Sequence, residues 1–160
     1  MAEMFLKIDG IEGESLDRWH KDEIEIERWS WNTTNTTHWD RNQGGQSTNA
    51  TIEKITVNKI CDRASVALYR YCVTGKHFKK ARIICRKNDG EKKLEYLHVE
   101  LEDVMIQQVK WDGTGLNQNL NETIEITFAE FHLKYKTQKD SGDPEGERAF
   151  GFNIQTQVQT

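Results

Sequence analysis

Cysteine is scarce in this chain, and the three present, Cys61, Cys72 and Cys85, are an odd number at spacings that fit neither a disulfide framework nor a zinc site. They read as reduced, mostly buried thiols without a redox or metal role. Positive charge is not in surplus either: 22 Lys and Arg against 26 Asp and Glu give a formal charge of -4. The two signs are interleaved, so no basic face is offered to DNA or RNA. Long apolar runs are missing. Nothing approaches the roughly 20 apolar residues of a membrane helix, which argues against membrane insertion. The opening "MAEMFLKIDGIEGES" has no basic n-region leading into an apolar core, so no Sec-type signal is expected and synthesis in the cytosol is. Proline occurs once, as Pro144, and no internal repeat is visible.

What is there suits one domain over residues 1–160 with a substantial core. Apolar residues are 36% and charged residues 30%; the apolar share is low for a monomer of this size, and self-association would relieve that. Strand patterns run over about 3–9, 23–31, 51–59, 78–87, 94–111, 121–136 and 149–158. "RKNDGEKK" places an Asp89-Gly90 turn between two of them, a hairpin signal because such turns need positive φ. One helix stands out in "DRASVALYRYCVTG": Asp62 or Ser65 can cap its start, Leu68, Tyr69, Cys72 and Val73 form an apolar stripe, and Gly75 can close it in the left-handed region. It is short and must be held by packing on the strands.

Three strand segments change their apolar face partway. In "EIEIERWSWNTT" Ile24 and Ile26 share one parity, and Trp29 and Trp31 the other. In "NETIEITFAEFHLKYK" the frame shifts near Ala129, between Ile126 or Phe128 and Phe131 or Leu133. In "LEYLHVELEDVMIQQVKW" Leu97, Val99 and Leu101 are odd, Val104 and Ile106 even, and Val109 and Trp111 odd again. Such flips argue for bulges or bends that carry a strand from one sheet to another, as in a barrel. Burial of the outer face by neighbouring subunits is a second cause, favoured by the tryptophans of the first segment. Residues 32–50, rich in Thr, Asn, Gln and Gly, read as a long loop in which Trp39 projects and Gly44-Gly45 forms a hinge.

Enzyme signatures fail. The five histidines lack metal-ligand spacing. "TGKHF" would need a glycine where Arg70 stands and a Ser or Thr where His77 stands to be a phosphate loop. Acidic pairs such as Glu102-Asp103, or Asp140 with Asp143, are abundant in a chain with 26 carboxylates and do not amount to a glycosidase dyad. No enzyme activity, cofactor or metal is expected.

"MFLKIDGIEGES", "HKDEIEIERWSW", the helix ending "YCVTGKHF", "EYLHVELEDVMI" and "ETIEITFAEFHLKYK" together resemble, in order and spacing over nearly the whole chain, the Hcp proteins (haemolysin-coregulated protein) of the bacterial type VI secretion system. The resemblance implies a mainly β fold: a two-sheet antiparallel β-barrel with one short helix, like a phage tail-tube protein. It implies homohexameric rings that stack into a hollow tube, driven by a contractile sheath on its baseplate and tipped by the spike protein VgrG. It further implies release to the medium or a target cell without a cleaved signal peptide, and carriage or chaperoning of secreted effectors. On that reading Ser30 faces the lumen and contacts cargo, with Trp29 and Trp31 packing on the opposite side. The loop that aligns with the family's extended loop brings Trp39, Asp40, Gly44 and Gly45, with Trp29 and Trp31, to subunit or ring-stacking contacts. The alternatives are a monomeric β-barrel that binds a small ligand inside, and a tryptophan-rich carbohydrate-binding sandwich.

Overall fold

Period-two alternation of aliphatic residues builds the wall of the molecule, because each strand then buries one face. The computed structural model describes every residue except Met1, Gln43, Thr48, Gly90 and Gly142. In chain order the elements are β1 (Ala2–Ile8), β2 (Ile24–Glu25), β3 (Arg28–Thr34), β4 (Thr37–Asp40), β5 (Gly44–Ser47), β6 (Thr51–Ile60), α1 (Ser65–Thr74), β7 (His77–Asp89), β8 (Lys92–Asp112), β9 (Asn121–Gln138), β10 (Pro144–Asn153) and β11 (Val158–Gln159). The fold is mainly β, antiparallel, with one helix. The main sheet runs β11-β10-β9-β8-β7-β1-β2, and β6 joins β9 to β3.

β9 is where two sheets meet. One of its edges pairs with β8 throughout. The other is shared, first by β6 along Asn121–Ile126 and then by β10 along Glu130–Gln138. The circuit of neighbours is completed on the opposite side by a handover: the Ile26 N–H donates to the Met4 carbonyl of β1 at 3.1 Å, and the Glu27 N–H donates to the Asn58 carbonyl of β6 at 2.9 Å.

Each parity flip has its own structural cause. Between Ile26 and Glu27 the chain changes partner, and the face that is inside changes with it. Leu101 pairs with Phe131 and Val104 with Phe128, all four packed in or on the core. Two residues separate the members on each strand, so β8 and β9 turn a corner together, and Asp103 takes φ 53° there. The later flip in β8 is a bulge, where the register shifts between Ile106 and Gln108.

Leu6, Ile24, Ile55, Val57, Leu68, Ile83, Val99, Val104, Ile124 and Ile126 are completely buried, and they fill the space between the two sheets. The hairpin between β7 and β8 closes with Asp89 paired to Lys92; Gly90 of the expected turn lies outside the described residues.

Helix α1 starts with a reciprocal cap. The Asp62 carboxylate accepts from the Ala64 N–H at 2.9 Å, while the Ser65 hydroxyl accepts from the Asp62 N–H at 2.9 Å. It ends at Gly75 with φ 67°. Its inner stripe differs from the expected one: Ala64, Leu68, Tyr71 and Cys72 face the core, whereas Tyr69 and Val73 point to solvent. The two stripes share Leu68 and Cys72, both of which face the core as expected, and the helix is turned so that Tyr71 takes the inner place expected of Tyr69. The expected loop at 32–50 is largely structured. β3 extends to Thr34, and β4 and β5 form a separate hairpin, with Trp39 paired to Gly45 and Asp40 to Gly44.

Candidate functional site

The WSW stretch lies on β3, whose register places Ser30 opposite Thr56, with Thr56 opposite Glu125 on β9. Ser30 is exposed. Its outward row continues through Asn58, which donates to the Thr123 hydroxyl at 2.9 Å, and Lys54 pairs with Glu125 at 2.9 Å beside it, so this face of the sheet carries polar groups and charges of both signs around Ser30. Trp29 and Trp31 turn inward and pack against the core. Trp31 meets Phe128 and Phe131 edge-on, with centroids 5.6 and 4.9 Å away, and its indole N–H donates to the Glu53 carbonyl at 2.9 Å. These two tryptophans thus obtain part of their burial within the chain. Beyond Arg28, β3 pairs with β6 alone among the described strands, leaving an open strand edge beside them.

Trp39 sits apart from this group. It is 86% exposed and lies over Gly45, where an added Cβ would come within 2.9 Å of the indole. Glycine is needed for that close approach. No residue of β4 or β5 is buried.

A third surface lies around α1 and was not marked by the sequence pattern. Tyr69 packs on Trp111, with ring centroids 4.8 Å apart. Leu116, 99% exposed, and Leu120 lie on the loop after β8, and Val66 and Val73 are exposed on the helix. Beneath Trp111 lies a dry ion pair: Lys59 Nζ meets Glu122 Oε1 at 2.6 Å with both side chains completely buried. Asp62 and Ser65 also contact Lys59, and the Trp111 indole donates to Glu122. A leucine in the Gly/Asn-rich "DGTGLNQNL" is the signal that could have drawn attention here.

The loop between β1 and β2 exposes Leu16 and Trp19 and is pinned from below. The buried Arg86 guanidinium bonds both Glu3 and Asp17 and lies over the Phe5 ring. Hydrogen bonding to Arg86 holds the Asp17 and Glu3 carboxyls below the usual carboxylate range. His20 stacks on the Phe5 ring at 4.4 Å, between Glu23 and Glu95.

The acidic residues noted in the sequence have other neighbours. Asp103 is exposed at the corner, and the carboxylate that faces Glu102 is Glu130. Asp143 is held by Lys92 and Ser141. The thiols are free; Cys85 is buried, Cys61 and Cys72 half-buried, and burial pushes the Cys85 and Cys61 thiols up. No helix among the described residues is long and apolar enough to cross a membrane.

Known proteins share this arrangement. Residues 5–135 match the family model described as "Type VI secretion system effector, Hcp". The chain is 32% identical over 159 residues to the protein Hcp1 of Pseudomonas aeruginosa, covering 99% of this chain and 98% of that one. Hcp1 from Salmonella typhimurium superposes with a TM-score of 0.80 at 30% identity, with 99% of each chain covered. A structure described as a type six secretion system protein superposes with a TM-score of 0.93 at 25% identity over the whole of both chains.

Proposed function

The chain belongs to the Hcp family of type VI secretion system proteins, a structural and secreted component and not a known enzyme family, and from that premise we propose that it is the tube subunit of such a system. In this reading six copies close into a ring, and rings stack into a hollow tube that a contractile sheath drives outward behind a VgrG spike. The tube carries effectors in its lumen, and the subunit leaves the cell with it. One domain spanning residues 1–160 is sufficient for this.

The observation that supports it most is the presence of exposed apolar residues on three different stretches of the chain: Trp39 on its hairpin, Leu16 and Trp19 on the β1–β2 loop, and Tyr69 packed on Trp111. A pair of self-complementary patches stops at a dimer, whereas distinct patches meeting head to tail close a ring, and further ones stack rings along the axis. Trp39, Asp40, Gly44 and Gly45 are assigned to stacking, the β3 edge with Trp29 and Trp31 to the neighbour within the ring, and Ser30 to cargo.

Light scattering of the purified chain tests this: a ring weighs six times 18.7 kDa, and negative-stain images should show particles with an open centre. A single-copy mass at high concentration overturns the reading. Exchanging Ser30 for Gln should leave rings intact and lower the amount of effector that co-purifies.

A further inference from the structure

Glu102 of β8 and Glu130 of β9 are direct cross-strand partners. His132 follows on the same outward face, since strand side chains alternate. One ligand atom from each of these three half-buried side chains lies within 4.8 Å of the other two. Two carboxylates set opposite each other repel unless something positive stands between them. Among the described ion pairs, Glu130 has only His132, at 3.7 Å. Lys80, cross-strand from Glu102 on β7, acts on it by longer-range attraction.

The imidazole and one carboxylate are also held from outside. His132 pairs with Gly151 of β10, where a Cβ would come within 2.5 Å of Nδ1. The missing side chain lets the ring lie across β10 with Nε2 turned to Glu130. Glu130 in turn is hydrogen-bonded by Thr160 and Asn153. Outer partners of this kind fix the orientation of metal ligands.

We propose that Glu102, Glu130 and His132 bind a divalent first-row transition cation, with water completing its coordination. One imidazole with two carboxylates favours zinc-like ions over magnesium or calcium, which prefer all-oxygen sets. Ligand bonds of about 2.0–2.2 Å put tetrahedral donor atoms roughly 3.4 Å apart, a separation that side-chain rotation reaches from the present positions. The cation would neutralise the facing carboxylates. This goes beyond the assembly reading and does not depend on it.

The test uses the tag-free full chain after treatment with chelator. Zn²⁺ titration by calorimetry should saturate at one ion per chain, and Co²⁺ should give visible d–d absorption. His132→Ala and Glu102→Gln should each weaken Zn²⁺ at least tenfold, while His38→Ala, on the exposed hairpin, leaves it unchanged. Glu102→Gln removes a repulsive charge at constant shape, so its circular dichroism should match the parent. Absence of saturable binding overturns the proposal, as does parental affinity in either His132→Ala or Glu102→Gln.

Discussion

The barrel wall and the β4–β5 hairpin are made of the same backbone ladder, yet they are held in opposite ways. In the wall, the inward aliphatics at the centre of β6 and of the first half of β9 are out of contact with water: Ile55, Val57, Ile124 and Ile126 are completely buried. The hairpin has no buried residue and makes its substantial contacts within itself. A lone two-stranded hairpin is marginal in water. This one rests on its backbone pairing, the turn and the stacking of Trp39 on Gly45, and its exposed indole is left free for something outside the chain.

Substitutions can break or sharpen this contrast. Lys59→Ala strikes the wall where no water can compensate, leaving the Glu122 carboxylate buried without its cation. Urea unfolding should show a loss of about 3–5 kcal/mol. Asp17→Asn strikes the rim of the wall and removes one carboxylate from Arg86, an expected loss of about 1.5–3 kcal/mol by the same measurement.

The pH dependence sharpens the second case. Asp17 and Glu3 are both held low by Arg86. Their contribution is therefore fully present above the unfolded carboxylate values near 4 and is lost as pH falls through the lower folded values. The urea midpoint of the parent should begin to drop as pH falls below about 5 and keep falling toward the lower folded values, and that of Asp17→Asn should drop less.

In the hairpin, Trp39→Ala should change the unfolding of the subunit by no more than about 0.5 kcal/mol while weakening ring stacking in sedimentation velocity. Gly45→Ala, whose Cβ meets the indole, should have the smallest effect: a shift in tryptophan emission with folding unchanged. Should Trp39→Ala instead unfold the subunit, the hairpin would belong to the wall.

Much of the wall could be read from the residues, because alternation is a local property. The strands and the flips at Glu27, Ala129 and Ile106 are written in the parity of isoleucine, phenylalanine and tryptophan. Parity alone did not separate their causes: a change of partner, a shared corner and a bulge leave the same mark on a strand. The helix was legible through Asp62, Ser65 and Gly75, but not its orientation, since Leu68 satisfies either apolar stripe. The Lys59–Glu122 pair was invisible, because both residues look like solvated charges until the fold brings them together under Trp111. Glu102 with Glu130 and His132 was hidden for the same reason: the set crosses two strands, and no single-strand motif encodes it.

The corner that β8 and β9 turn together has a mechanical side. Because both strands bend at the same step, their pairing runs from Leu97–Tyr135 to Asp112–Asn121 with one register shift, and apart from it skips only the corner step at Asp103 and Ala129. Ladder hydrogen bonds lie across the strand direction. A load applied along these two strands therefore pulls on the whole row in shear instead of opening it one bond at a time.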